Sequence, residues 1–296
     1  MTGASGFVGT WLCRHLEMSG DEVEAPDLSL DVRDGEAVAA AITASAPDVV
    51  YHLAGFAHVG ESWSRPAEVF AVNALGTLNT LEAARRCERP PRVLLVSSAE
   101  VYGAVTNDLP VEESAPLAPV SPYAASKVAA EYLGVQAFLG SKLDVVRLRP
   151  FNHVGPGQSD AFVVSGLARR VVAAEGKGGG SVAVGNLDPV RDFTDVRDVV
   201  RAYRLLALEG RPGEVYNVAT GKGVSVREIT AMLARLARVG VSFEADPKLT
   251  RPVEVPVLLG DAAKLHRATG WQPRHELEAT LADVLGYWRQ AADETM

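Results

Sequence analysis

Four short runs rich in β-branched residues, Val23–Pro26, Val49–Leu53, Val93–Ser97 and Val145–Leu148, punctuate the first half of the chain. Between them lie Ala- and Leu-rich amphipathic stretches around Thr10–Ser19, Asp34–Ala44, Ala71–Cys87 and Pro122–Leu139. A strand that is apolar along its whole length must be covered on both faces, and strands that alternate with helices pair in parallel. The alternation therefore predicts an α/β fold built on a doubly wound parallel sheet. After Arg149 the rhythm weakens as Gly and Pro become frequent. A further strand is predicted near Val215–Ala219, with helices at Val226–Ala237 and Leu277–Gln290.

The chain begins Met1-Thr2-Gly3, where the first strand of such a sheet should already have ended. That strand is central in a doubly wound sheet. A handful of residues upstream of Met1 is therefore expected in the natural protein.

A formal net charge of −8 argues against the broad positive surface that nucleic acid or an anionic membrane requires. No apolar run is long enough to span a bilayer and no leader pattern is present, so a cytoplasmic location is expected. Cys13 and Cys87 lack metal-ligand spacing and are expected to be reduced thiols, with no metal bound. The run Gly176–Ser181 lacks the Gly-Lys-Ser/Thr ending of a phosphate loop and is expected to be a mobile surface turn.

The segment Thr2-Gly3-Ala4-Ser5-Gly6-Phe7-Val8-Gly9 places a glycine at every third position as the first helix opens. Such spacing lets backbone approach a pyrophosphate whose charge faces the helix amides. Asp27 follows about 20 residues later, after a strand, where a carboxylate binds the adenosine ribose hydroxyls. It would repel a 2′-phosphate, so NAD(H) is expected in preference to NADP(H). Asp31 and Val32 are candidates for the adenine pocket. Leu53-Ala54-Gly55 ends a strand in small residues and permits close cofactor approach. Asn73 reads equally well as a cofactor-site residue and as a helix-interior amide.

Ser121-Pro122-Tyr123-Ala124-Ala125-Ser126-Lys127 supplies the chemistry. Ser121 suits an N-cap and Pro122 a first helical position. Tyr123 and Lys127 then share a helical face at i and i+4. A nearby cation is expected to lower the tyrosine pKa and make it an acid or base near neutrality. Ser98, in Ser97-Ser98-Ala99-Glu100-Val101-Tyr102-Gly103, is placed at a strand's carboxyl end to meet Tyr123 over a carbonyl.

The glycine fingerprint, Ser98, Tyr123 and Lys127 together resemble the extended short-chain dehydrogenase/reductase family, whose members act mostly on nucleotide sugars. The resemblance spans essentially the whole chain and implies a Rossmann domain over residues 1–150. Residues 151–296 would form a smaller α/β substrate-binding domain, with one strand and helix at 190–220 returning to the first sheet. It implies that Tyr123 exchanges a proton with the sugar oxygen, that Ser98 hydrogen-bonds that oxygen, and that Lys127 holds the nicotinamide ribose. Pro150 is implied to touch the cofactor. A homodimer through the helices bearing Tyr123 and Asn73 is implied as well.

Within the family, Arg149-Pro150-Phe151-Asn152-His153-Val154-Gly155-Pro156-Gly157-Gln158 resembles the segment carried by GDP-4-keto-6-deoxy-D-mannose reductases. Gly185–Phe193 resembles a stretch those enzymes share with GDP-mannose 4,6-dehydratases, and so do Arg251–Val255, Gly260-Asp261 and Gly270–Pro273. Arg191 and Arg251 are forked donors suited to a diphosphate. Glu254 suits a guanine edge or a sugar hydroxyl, and Asn152 the hexose or a phosphate. The short Asp27–Asp31 spacing and the Gly155–Gln158 ending favour a reductase. Glu100 stands where dehydratases keep the base that takes the C5 proton. The resemblance implies reduction of the C4 keto group of a GDP-4-keto-6-deoxyhexose, giving a GDP-6-deoxyhexose such as GDP-D-rhamnose. A 4,6-dehydratase or 4-epimerase on the same scaffold is the alternative, and a non-catalytic nucleotide-sensing module a more distant one.

Overall fold

The computed structural model describes residues 1–26, 30–104, 110–246, 249 and 255–294. Helices α1 (Phe7–Met18) and α2 (Gly35–Ser45) precede strand β1 (Val49–His52). Helices α3 (Pro66–Phe70) and α4 (Gly76–Arg86) lead to β2 (Arg92–Val96), α5 (Pro122–Ser141), β3 (Val145–Pro150) and β4 (Asn152–Val154). Next come α6 (Val163–Glu175), β5 (Gly180–Val184), β6 (Val190–Asp195), α7 (Val196–Glu209), β7 (Val215–Val218) and β8 (Gly223–Ser225). The chain closes with α8 (Val226–Leu236), β9 (Val241–Ala245), β10 (Val257–Leu258), α9 (Ala263–Thr269) and α10 (Leu277–Asp293).

Strands β1, β2, β3 and β7 form a parallel sheet in that order, with Val50 opposite Val93, Val93 opposite Val145 and Leu148 opposite Tyr216. One face buries Val93, Leu95 and Val145 beneath Val38 and Ile42 of α2, Leu81 of α4 and Ala137 of α5. The other buries Leu94, Val146 and Leu148 beneath Leu12 of α1 and Tyr203 of α7. Cover on both faces explains the continuous apolar runs Val49–Tyr51 and Val93–Val96, whereas β3 sets Arg147 and Arg149 between apolar residues. Each fully buried Leu or Val side chain stabilises the fold by roughly 1.5–3 kcal/mol. This is the doubly wound Rossmann architecture.

A second layer holds β10-β6-β4 in parallel, β8 antiparallel on β6, and the separate parallel pair β5–β9. Its core packs Leu167 and Val171 of α6, Ile229 and Leu233 of α8, and Leu281 and Val284 of α10. The Gly176–Ser181 run ends inside β5, where Gly180 and Ser181 pair with Val241 and Ser242.

The sequence expectations need correction at two elements. Val23–Pro26 forms no strand; the Met1 ammonium donates to its Glu24 carbonyl at 2.6 Å. A ladder needs a partner along its length, and the neighbouring slot holds Met1 and Thr2, with Thr2 engaged on β1. Thr2 bridges His52 in parallel, donating to the Tyr51 carbonyl at 3.0 Å and accepting from the Leu53 amide at 3.3 Å. The helix expected from Ala71 starts instead at Pro66 and contains a π-helical turn, Ala71–Leu75, which carries Asn73. Among the described residues no helix is long and apolar enough to cross a membrane.

Candidate active site

The carboxyl ends of β1, β2 and β3 converge beside the amino end of α1. At Gly3, where φ is +70°, a Cβ would stand 2.6 Å from the Ala54 amide nitrogen. At Gly9 it would stand 2.2 Å from the Gly3 carbonyl oxygen. The turn is therefore closed to any larger residue and packs directly on Leu53-Ala54. Gly6 is the N-cap of α1 and no side chain caps this helix, so no side chain competes for the amides at Phe7 and Val8. Ser5 and Gly6 are exposed and Phe7 and Val8 half-buried. A cradle that a Cβ would fill, beneath an uncapped helix end, fits a dinucleotide pyrophosphate.

Arg33 donates to both Asp31 oxygens, through Nε at 2.9 Å and Nη2 at 2.5 Å. Those bonds hold the exposed Asp31 carboxyl down to about 2. Val32 is buried in the core, its side chain under Gly76. Asp27 lies outside the described residues, as do Arg251 and Glu254.

Asn73 is bonded within the fold through both ends of its amide. Its Oδ1 accepts from the Phe56 amide at 2.8 Å, while Nδ2 donates to the Phe56 carbonyl at 3.2 Å and to Ser126 Oγ at 2.8 Å. Both ends of the amide thus pin the loop after Gly55 to α5. π-turns recur at functional positions, and this one carries that pin. Beneath it, His52 is buried between hydroxyls of Thr2 (2.9 Å) and Thr77 (3.1 Å). Burial, together with the nearby Lys127 charge, depresses His52 to about 3, so it is a neutral strut.

Ser121 accepts from the Ala124 amide at 3.1 Å and Pro122 occupies the first turn of α5, as their types suggest. Tyr123 and Lys127 are both buried. Lys127 Nζ donates to the Val96 carbonyl at 2.9 Å and lies near Gly55, where a Cβ would approach it to 3.3 Å. Ser98 caps the turn Ala99–Tyr102, accepting from the Glu100 amide at 3.2 Å, and hydrogen-bonds the Tyr123 phenol. Glu100 is half-buried and faces the same phenol.

The electrostatics differ from the sequence expectation. Tyr123 is pushed up to about 12, chiefly by burial, with the Ser98 hydrogen bond pulling the other way and Glu100 adding to the rise. Lys127 is pushed down to about 8, again by burial, and Glu131 opposes that shift. Desolvation outweighs the local cation because the ammonium is turned onto the Val96 carbonyl. The phenol is consequently protonated at neutral pH, the form a proton donor needs.

Pro150 closes β3 and is buried. Asn152 in β4 pairs with Phe193 in β6, which brings its strand alongside that of Arg191. The Arg191 guanidinium donates to the Val190 carbonyl at 2.9 Å and the Pro256 carbonyl at 3.4 Å. His153, inside the Asn-His segment quoted above but not singled out there, lies against the residue that opens α1. Its ring stacks on Phe7 at 6.1 Å between centroids and its Nδ1 contacts the Phe151 carbonyl at 3.1 Å. A carbonyl only accepts, so Nδ1 carries the proton; burial lowers the pKa of this ring. Among the described residues no group of three or more His, Cys, Asp or Glu is arranged to hold a metal.

Comparison with known proteins sets this geometry in context. The family model described as GDP-mannose 4,6 dehydratase matches residues 25–284. The GDP-6-deoxy-D-mannose reductase of Pseudomonas aeruginosa is 36% identical over 99% of this chain and 98% of its own. The solved structure of RMD from Pseudomonas aeruginosa complexed with NADPH superposes with a TM-score of 0.90 at 36% identity, covering 98% of this chain and 97% of that one. The UDP-glucose 4-epimerase of Thermus thermophilus, solved in complex with NAD, gives 0.86 at 32% identity and covers 98% of both chains.

Proposed function

Because the chain belongs to the GDP-mannose 4,6 dehydratase family, we propose that it is a nicotinamide-dependent reductase of a GDP-4-keto-6-deoxyhexose, forming a GDP-6-deoxyhexose such as GDP-D-rhamnose. The observation that carries this reading is the buried phenol of Tyr123, bonded to Ser98 and one turn from Lys127, beside a glycine cradle. The reductase is preferred to the dehydratase on two grounds. Likeness to a reductase extends over nearly the full length of both chains, and the Gly155–Gln158 ending matches the reductase pattern.

In this mechanism Ser98 orients the C4 carbonyl oxygen of the sugar and Tyr123 gives that oxygen its proton. Lys127, bonded to the end of β2, holds the nicotinamide ribose and stabilises the charge that Tyr123 develops as its proton leaves. A nicotinamide held there would supply hydride for the C4 carbon. The turn from Gly3 to Gly9, with Leu53, Ala54, Gly55 and Pro150, holds the dinucleotide so that donor and carbonyl carbon meet in reactive geometry. Asn152, Arg191, Arg251 and Glu254 hold the nucleotide sugar, the arginines at its diphosphate.

Asp27 carries the further proposal that NAD(H) is preferred to NADP(H), a choice opposite to the NADPH found on the Pseudomonas aeruginosa RMD. Equal turnover with both reduced cofactors would remove it. The chain is also proposed to pair with a second copy of itself, supported by Phe70, Leu78, Tyr132 and Leu139, which are apolar yet exposed along α3, α4 and α5. Incubation with GDP-4-keto-6-deoxy-mannose and reduced nicotinamide tests the main reading. Loss of absorbance at the nicotinamide band, with a GDP-6-deoxyhexose recovered, is expected. Conversion of GDP-mannose without net cofactor consumption would instead make the chain a dehydratase.

A further inference from the structure

Resting on the reductase reading above, we infer that Trp11 is a positioning residue. It fastens the sugar-binding segment Asn152–Gln158 to the helix of the dinucleotide cradle, so that filling the cradle tightens the sugar site. The observation that carries this is one hydrogen bond between the two layers. The Trp11 indole Nε1 donates to the Pro156 carbonyl at 2.9 Å, across 145 positions of sequence.

α1 meets the segment with one face. Phe7 and Trp11 stand at i and i+4 on that helix and so share a side of it. The Phe7 ring stacks on His153, with centroids 6.1 Å apart and planes 13° apart. A Cβ at Gly155 would come within 3.5 Å of the Phe7 ring and 2.5 Å of Val196, so the segment lies directly against α1 and the start of α7. The Arg14 guanidinium stands 5.4 Å over the Trp11 ring and restrains its orientation from the solvent side.

The segment is braced so that it moves as a unit. The Gln158 amide donates to the Gly155 carbonyl at 3.3 Å, and its side-chain Nε2 donates to the His153 carbonyl at 2.9 Å. Ser165 of α6 donates to the Gln158 carbonyl at 2.6 Å, and the indole of Trp288 in α10 donates to that hydroxyl at 3.0 Å. Asn152 and His153 are paired with Phe193 and Thr194 of β6. A displacement of Pro156 therefore carries His153 and its neighbour Asn152 with it. The second layer holds the segment from behind, and Trp11 holds it from the cofactor side.

Phe7 touches both halves of the site. Its amide is among those left uncapped at the end of α1 that fits a pyrophosphate, and its ring lies on His153. An anion bound to those amides fixes the first turn of α1. The ring and the indole one turn later pass that order to the segment, the kind of contiguous contact through which two sites are coupled. The consequence is geometric: a sugar displaced by about 1 Å from the hydride donor loses roughly 10²-fold in rate.

The test is a fluorescence titration with whichever of NADH and NADPH binds more tightly, without and with saturating GDP-mannose. This sugar has no keto group to reduce, so the ternary complex does not turn over. In wild type GDP-mannose is expected to tighten dinucleotide binding by at least about fivefold, and by reciprocity the dinucleotide tightens GDP-mannose binding by the same factor. Trp11→Phe keeps an aromatic ring and removes the donor. Its factor should fall to near one while affinity for the dinucleotide alone stays unchanged. A merely structural role would lower the melting temperature and leave the factor intact. Should Trp11→Phe fail to fold, benzothienylalanine at position 11 keeps the bicyclic ring, replaces only the N–H by sulfur, and should lose the factor as well. A folded variant that keeps the wild-type factor overturns the inference, and so does a wild type that binds the two ligands independently. If GDP-mannose does not bind at all, the GDP-sugar reading falls and takes the inference with it. If the coupling is present but the 4-keto sugar is never reduced, only the reductase reading falls.

Discussion

Tyr123 and Lys127 stand one turn apart on α5, and burial drives their ionisation apart: the phenol to about 12, the ammonium to about 8. The ordinary order of the two groups, close together near 10, is opened into a gap. Across neutral pH the site therefore holds a phenol ready to donate and a cation ready to steady what remains. Separation of this kind assigns acid and electrostatic roles within one site.

Replacing Tyr123 with Phe removes the proton and keeps the ring. Turnover of the 4-keto sugar should fall by roughly 10²–10⁴-fold, the usual contribution of a positioned acid. Cofactor affinity should stay near wild type, because Lys127 and the glycine turn are untouched. Stopped-flow turnover with a parallel fluorescence titration checks both. A Phe variant that keeps a tenth of the wild-type rate removes Tyr123 as the donor.

Lys127 makes the site costly to fold. Its pKa is lower in the folded chain, about 8, than the ordinary value of 10.5. Below pH 8 the ammonium is charged in both states and its destabilising effect is complete; between 8 and 10.5 the effect fades as the folded amine loses its proton first. Lys127→Met should therefore abolish turnover yet leave the fold more stable at pH 7, by on the order of 2 kcal/mol. That advantage should shrink as pH rises through this window. Thermal melts at pH 7 and 10 decide the matter, and a Met variant that melts lower than wild type at both pH values refutes it.

Gly9→Ala tests the cradle. A methyl at 2.2 Å from the Gly3 carbonyl and 2.6 Å from the Ala4 carbonyl cannot be accommodated without moving the turn. A stability loss of about 1–3 kcal/mol is expected from overpacking, with cofactor affinity reduced at least tenfold. Unchanged affinity in calorimetry would show that the turn does not carry the dinucleotide.

How far the site can be read from sequence depends on whether a contact is local. The Tyr123–Lys127 pair and its Ser121 cap are legible because helical spacing alone sets them side by side. The strands β1 and β2 are legible because burial on both faces leaves an apolar run, and β3 because Val145-Val146 and Leu148 still mark it despite Arg147 and Arg149. Val23–Pro26, which reads Val-Glu-Ala-Pro, carries one β-branched residue and a proline without an amide hydrogen, a weak strand signal, and it forms no strand. The Arg149–Glu131 bond joins positions 18 apart, and His52 meets Thr2 across 50. Neither pairing leaves a periodic mark. The strands β4, β8 and β10 are only three, three and two residues long, too short to show alternation. The sign of the Tyr123 shift is hidden for a related reason: it depends on the depth of burial, which one helical turn of sequence does not reveal.

The exposed apolar face along α4 and α5 gives the last test. Tyr132 and Leu139 are each 62% exposed and Leu78 is 36% exposed. The first two lie on the helix that carries Tyr123, but Tyr123 is buried while their side chains reach solvent. A second copy seated there would stack two helix pairs into a four-helix bundle and cover these side chains. Leu78→Glu with Tyr132→Glu would bury like charges at the proposed contact, an unfavourable desolvation with repulsion added. Sedimentation should then find a monomer at concentrations where wild type is a dimer, with far-ultraviolet circular dichroism unchanged. A wild-type protein that sediments as a monomer removes the dimer and leaves the chemistry of Tyr123 standing, because no residue of the site described above is drawn from a second copy.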